Sequence, residues 1–261
     1  MQMVAAAKMR RAQDAIAAAR PYAQRLDRLL KQLHQSVDTQ EQPLFAERAV
    51  QRVALVVVTS DRGLCGGFNS NLCRRVQAEL GEYADAEVEL ITVGRKGRDF
   101  FNARGYTIAS HHADVFSRLE FARATAIAQD LTRRFAAAET DRVLLCYSEF
   151  VSVAAQVPVV SQLLPIVPEE GAVEAADYTF EPGPEQLLET LVPRQVNFQI
   201  WRALLESNAG FFAAQMTAMD NATKNAGDLI EELTREVNKE RQASITLELM
   251  DIIGGAEAVA Q

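Results

Sequence analysis

The sequence predicts an α/β protein: an antiparallel coiled coil of the N- and C-terminal helices, with a mostly parallel sheet domain between them in the chain. Three observations predict it. Helix-forming residues with an apolar stripe fill the start of the chain, β-branched runs alternate with helical stretches in the middle, and a long helical pattern returns at the end.

The first helix is expected over Met1 to about Val37, rich in Ala, Arg, Gln and Leu. Its stripe runs through Met3, Ala6, Met9, Ala12, Ile16, Ala19, Ala23, Leu26, Leu30 and Leu33 in steps of three and four. Several of these are alanines, so a partner helix has room to approach closely. Pro21 removes a backbone donor inside this pattern and is expected to disturb it.

In the middle, Arg52 to Ser60 (RVALVVVTS) has the continuous apolar run of a buried parallel strand. A helix over Phe68 to Gly81, a strand over Ala86 to Val93 and a short helix near Arg98 to Ala103 follow. Tyr106 to Ser110 is expected as a third strand, Leu119 to Ala138 as a helix and Arg142 to Ser148 as another buried strand. Ser152 to Pro165 has the pattern of an edge strand with a loop. Proline and acid then thicken toward Pro184, as in a surface connection.

From Pro184 to about Ile253 the helical period returns, clearest at Phe212, Met216, Met219, Ala222, Ala226, Leu229, Leu233 and Val237. Pro193 is expected to kink or interrupt its beginning. The remainder, at 1.5 Å per residue, would be roughly 90 Å long, which suits a coiled coil. Neither terminal helix buries its stripe alone, so the two are expected to pair. The domains are therefore 1–37 with 184–261 for the helical shaft and 50–183 for the α/β domain.

Composition excludes several functions. Against 27 Lys and Arg stand 35 Asp and Glu, a net charge of -8, which argues against a general nucleic-acid binder. No apolar run is long enough to span a membrane, so no direct membrane insertion is expected. Three scattered cysteines, Cys65, Cys73 and Cys146, with three histidines, give neither a disulfide framework nor zinc-type spacing, so no metal site is expected.

The sharpest motif is Thr59 to Asn69 (TSDRGLCGGFN), between a strand and a helix. Such a turn holds phosphate when it carries a phosphate-loop or dinucleotide pattern, and this one carries neither. The glycines then serve tight packing, Asp61 and Arg62 hold the turn or pair at the surface, and no cofactor is expected. Cys65 at a helix N-terminus is a conceivable nucleophile, but no Cys-His pattern accompanies it. Lys8, Arg10 and Arg11 form a basic collar that is either a solvated face or a track for an acidic partner. Asn238 to Thr246 is polar on a helix, equally a solvated face or a contact surface.

TSDRGLCGGFNSNL resembles the glycine-rich segment of F-type ATP synthase gamma subunits. So do MVAAAKMRRAQ at the start and MDNATKNAGDLIEELTREVNKERQASITLELMDIIGGAEAV at the end, as well as SQLLPI and the Tyr178 to Pro182 segment, so the resemblance covers essentially the whole chain. It implies a coiled-coil shaft inside a ring of three alpha and three beta subunits. A Rossmann-like foot domain would lie near the epsilon subunit and the membrane c-ring, at the cytoplasmic face of a bacterial inner membrane. It also implies a non-catalytic subunit that couples proton-driven rotation to the beta sites. On this resemblance Arg241, Gln242 and Thr246 match a polar catch against beta loops, and Lys8, Arg10 and Arg11 match a basic helix facing an acidic beta loop. Tyr178 and Glu181 match foot contacts with epsilon and the c-ring, and Gly254 to Gln261 matches the shaft tip.

The chain departs from the family in three respects. Members open with a further basic helical segment before the equivalent of Met3. Asn208-Ala209-Gly210-Phe211-Phe212 stands where small and polar residues are usual. The cysteine-bearing insertion of chloroplast members is absent, which favours a bacterial source. The alternative reading is a standalone nucleotide-binding or Cys-dependent enzyme built on the Asp61 to Asn69 turn.

Overall fold

A computed structural model describes residues 1–36, 42–167 and 183–259. The elements are α1 (Gln2–Ser36), a single 3-10 turn at Pro43–Phe45, β1 (Arg52–Val58), α2 (Phe68–Glu82), β2 (Glu87–Val93), α3 (Arg95–Asn102), β3 (Ile108–His112), α4 (Phe121–Ala136), β4 (Arg142–Phe150), β5 (Gln156–Leu164) and α5 (Pro184–Val259). By internal contacts the chain falls into two units, Met1–Thr217 and Ala218–Gln261.

The first unit is built on one five-stranded sheet in the order β3-β2-β1-β4-β5. The pairs β1–β2, β1–β4 and β2–β3 are parallel, while β5 lies antiparallel on β4 at the edge. The β-branched run of β1 is buried on both faces, as its continuous apolar sequence requires. Alternation divides it: Ala54, Val56 and Val58 face a core shared with α4 and the early part of α5. Val53, Leu55 and Val57 face α2 and Phe101 of α3.

Within this unit α1 pairs antiparallel with the early part of α5. Tyr22 stacks on Phe198 with ring centroids 5.0 Å apart, and Lys8 Nζ lies 5.4 Å from the Phe212 ring centre. Fourteen residues back along α1 thus correspond to fourteen forward along α5. Buried Ala5, Ala12, Leu26 and Leu33, with partly buried Met9, Ile16, Ala19, Ala23 and Leu30, repeat in alternating steps of four and three, the seam of a coiled coil. The expected stripe began at Met3, which is 85% exposed; the seam instead starts at Ala5. Both helices are assigned unbroken through Pro21 and Pro193, so the expected interruption at Pro193 is absent. Each proline removes one backbone donor, and the packed seam around it outweighs that loss.

The aromatic departure at Asn208 to Phe212 packs tightly against α2 and β5 around Gly210. A Cβ there would lie 3.2 Å from both Phe68 Cε2 and Gln156 Cγ, so a side chain would require these two side chains to shift by a few tenths of an ångström. Phe211 fills the adjoining space against Phe68, Phe116 and Phe212. Ser207 Oγ accepts a hydrogen bond from the Ser148 N–H at 3.2 Å, fixing α5 over the end of β4.

The second unit is the remainder of α5. Every described side chain from Asn221 to Ala256 is exposed. The expected pairing of Ala222, Ala226, Leu229, Leu233 and Val237 within this chain is therefore corrected; Leu229 and Leu233 are 54% and 49% exposed. Leu229→Asp and Leu233→Asp in the isolated chain are expected to shift unfolding by no more than about half a kcal/mol, because no buried contact is lost. Urea unfolding of both variants checks this, and a loss of several kcal/mol would mean the stripe is covered in solution.

Candidate functional site

The loops after β1, β2 and β3 meet at the C-terminal end of the parallel strands. Thr59 and Ser60 continue β1 and are buried. Thr59 Oγ1 donates to Val93 O at 3.0 Å and accepts from the Gly97 N–H at 2.8 Å, tying the first loop to α3. Ser60 Oγ donates to Arg62 O at 2.6 Å, and the Asn69 amide answers from α2: Oδ1 accepts from the Ser60 N–H at 3.0 Å, while Nδ2 donates to Ser60 Oγ at 2.8 Å. Gly66 has φ +54, and Leu64 tolerates φ +62 with its side chain outward.

Asp61 holds this end of the sheet together. Its Oδ1 accepts from the Arg95 N–H at 3.2 Å and the Asp114 N–H at 2.9 Å, so one carboxylate joins all three loops. Arg95 in turn reaches both Asp114 oxygens, at 2.5 and 2.7 Å. Ser60, Asp61 and Asn69 of the turn are thus engaged in holding these loops together.

Cys65 does not have the environment of a nucleophile. It is 2% exposed in a small cluster with Phe68 and Phe211, and burial pushes its thiol pKa up despite the hydrogen bond from Asn69. Burial also raises Cys73, to about 11, and Cys146 further still. All three thiols are free. At pH 8 a thiol reagent is expected to label none of them until the chain is denatured, since the reactive thiolate is scarce and covered. Rapid labelling of native Cys65, read by mass spectrometry, would contradict this.

Lys8, Arg10 and Arg11 are exposed on α1. Lys8 and Arg11, one turn apart, line a cleft of about 570 Å³ together with Asp61, Arg62, Asn208 and Phe212; Arg10 is not among the lining residues. Arg241, Gln242 and Thr246 are exposed on α5. Thr246 Oγ1 donates to Gln242 O at 2.8 Å, so these two share a helical face as their spacing predicts. Tyr178 and Glu181 lie outside the described residues, as does the last part of the Gly254 to Gln261 tip. Sequence reasoning missed Trp201 and Phe116 as cleft residues, and no motif marks either.

The sequence profile of the ATP synthase family matches residues 1–259. The ATP synthase gamma chain of Chlorobaculum parvum is 48% identical over 269 residues, covering 100% of this chain and 92% of the relative. That of Pelotomaculum thermopropionicum is 47% identical over 261 residues, covering 99% and 92%. Among solved structures, a chain of the central stalk and c-ring assembly of Tetrahymena thermophila mitochondrial ATP synthase aligns with TM-score 0.65 at 26% identity, covering 85% of this chain and 97% of its own. A chain of the Euglena gracilis mitochondrial ATP synthase shares the fold, with TM-score 0.63 at 19% identity, covering 97% and 95%. With a family match over residues 1–259 and nearly half the residues identical to those of these relatives, the chain belongs to the ATP synthase gamma chain family.

Proposed function

We propose that this chain is the central rotor subunit of an F-type ATP synthase, a non-catalytic shaft that transmits c-ring rotation to the beta-subunit sites. The observation that carries the reading is the exposed half of α5. From Leu229 to Ile253 it leaves large apolar residues uncovered, including Ile230, Leu233, Val237, Leu247 and Ile252. A helix that exposes this much apolar surface calls for a partner, and family membership supports a sleeve of alpha and beta subunits, three of each, as that partner.

In this reading the shaft comprises 1–37 and 184–261 and the foot 50–183. Lys8, Arg10, Arg11, Arg241, Gln242 and Thr246 meet beta. Tyr178 and Glu181 meet epsilon and the c-ring. The complex sits at the cytoplasmic face of a bacterial inner membrane, and this subunit is peripheral: among the described residues no helix is long and apolar enough to cross. Each beta site takes the conformation favoured by the shaft face it meets, so turning the shaft shifts each site in sequence. The test is co-expression with alpha and beta subunits from the same source. The chain is expected to co-purify with both, and the complex to hydrolyse ATP. A chain that stays apart from alpha and beta, leaving their activity unchanged, would defeat the reading.

A further inference from the structure

The cleft beside the strand ends shares Lys8 and Arg11 with the proposed beta contacts, but its other lining residues, among them Arg62, Asn208 and Trp201, have no role in the rotor reading. Lys8, Arg11 and Arg62 line it without a carboxylate partner among the described residues, Lys8 resting over the Phe212 ring. Its acids are committed, Asp61 to two backbone N–H groups and Asp114 to Arg95. The field left over therefore favours an anion.

The lining also includes the aromatic rings of Phe116, Trp201 and Phe212. Asn208 also lines the cleft; it is 9% exposed, and its Oδ1 has no hydrogen-bond partner. An unpaired amide at that depth is destabilising, and such groups mark places where a ligand or water completes the bonding. The cleft's volume is that of a small-molecule site, and it lies where α/β sheets commonly take ligands, outside the carboxyl ends of parallel strands.

We propose that this cleft binds a small aromatic phosphate with the chemistry of a nucleoside monophosphate. The phosphate lies among Lys8, Arg11 and Arg62, the ring packs on the aromatic lining residues, and an amino group on the ring donates to the Asn208 amide oxygen. The site borders the glycine-rich turn, which contributes Ser60, Asp61 and Arg62 to its lining, and involves no bond making. It does not depend on the rotor reading, because the isolated chain is tested.

Trp201 is the chain's one tryptophan, so its emission reports occupancy directly. Titration with AMP is expected to change that emission saturably, with half-saturation below about 1 mM. Adenosine, which lacks the anion, and inorganic phosphate, which lacks the ring, are each expected to bind at least about tenfold more weakly. The double variant Arg11→Gln/Arg62→Gln is expected to lose at least about tenfold in AMP affinity. Asn208→Leu is expected to lose affinity while melting at the same temperature or higher, because it removes an unpaired buried group. That pairing of effects is one that a purely structural Asn208 would not give. The proposal is overturned if AMP gives no saturable change at about ten times that concentration. It is equally overturned if adenosine or phosphate matches AMP, or if both folded variants bind AMP as the parent does.

Discussion

In an assembled synthase, replacing Arg241 and Gln242 by Ala is expected to lower ATP synthesis and cooperative hydrolysis by about tenfold, with assembly intact. Both side chains are exposed on α5. The Thr246 hydrogen bond goes to the Gln242 carbonyl oxygen, which Ala retains. The helix therefore loses no internal contact that these side chains supply, and exposed polar truncations of this kind change stability by within about half a kcal/mol. Arginine's planar fork holds a carboxylate or carbonyl in a defined direction, which is what a contact coupling shaft angle to site conformation needs. ATPase rate and proton pumping in reconstituted complexes, with assembly followed on native gels, are the measurements. Normal rates at normal assembly would reduce the cluster to a solvated face. Loss of assembly would make it a docking contact and defeat its role as a catch.

Gly94→Ala is expected to destabilise the first unit by about 3 kcal/mol or more. Gly94 joins β2 to α3 at φ +87, and a Cβ there would stand 2.2 Å from Thr59 O and 2.7 Å from its carbonyl carbon. Thr59 cannot give way freely, because its N–H donates to Val93 O at 2.8 Å and Oγ1 is held from two sides. Gly105 is the control. It has φ +78 with nothing within 4 Å of its added Cβ, so Gly105→Ala bears only the left-handed backbone cost, about 1–2 kcal/mol. Urea unfolding of both variants separates the clash from the dihedral. Equal losses would show that β1 yields at Thr59 and that the close approach is not rigid.

The sheet was legible because β1 and β4 are apolar on both faces, and only a buried parallel strand asks for that. The edge position of β5 was expected from the Ser152 to Pro165 pattern, and the strand holds Pro158, which has no N–H to donate. The start of α3 was set too late, near Arg98. The helix opens at Arg95, where Gly94 turns the chain and Asp61 accepts the Arg95 N–H. The stripe from Ala222 to Val237 was read correctly as one face of a helix and wrongly as a face covered by α1. A period specifies a direction on a helix and says nothing about what lies there. The cleft was not legible at all. Its residues come from α1, two loops and α5, and the Asn208 amide becomes conspicuous only when folding leaves it unpaired. For the proposed partner residues, the exposure of Lys8 and Arg241 follows from helical position, whereas their partners were suggested by resemblance alone.

The seam of α1 changes character along its length: Ala5, Ala12 and Ala19 lead, and Leu26 and Leu33 follow at the same heptad position. Mutational tolerance along this one helix is therefore polarised. Near its start the harmful error is excess, since a larger side chain at buried Ala5 or Ala12 overpacks a filled seam, at about 1–3 kcal/mol. Near its end the harmful error is deficiency, since truncating Leu26 or Leu33 opens a void worth about 2–5 kcal/mol. Natural variation in α1 should then drift in opposite directions at its two ends, with small residues retained early and bulky ones late. A lineage that enlarges the early positions would need a compensating reduction on the facing stretch of α5.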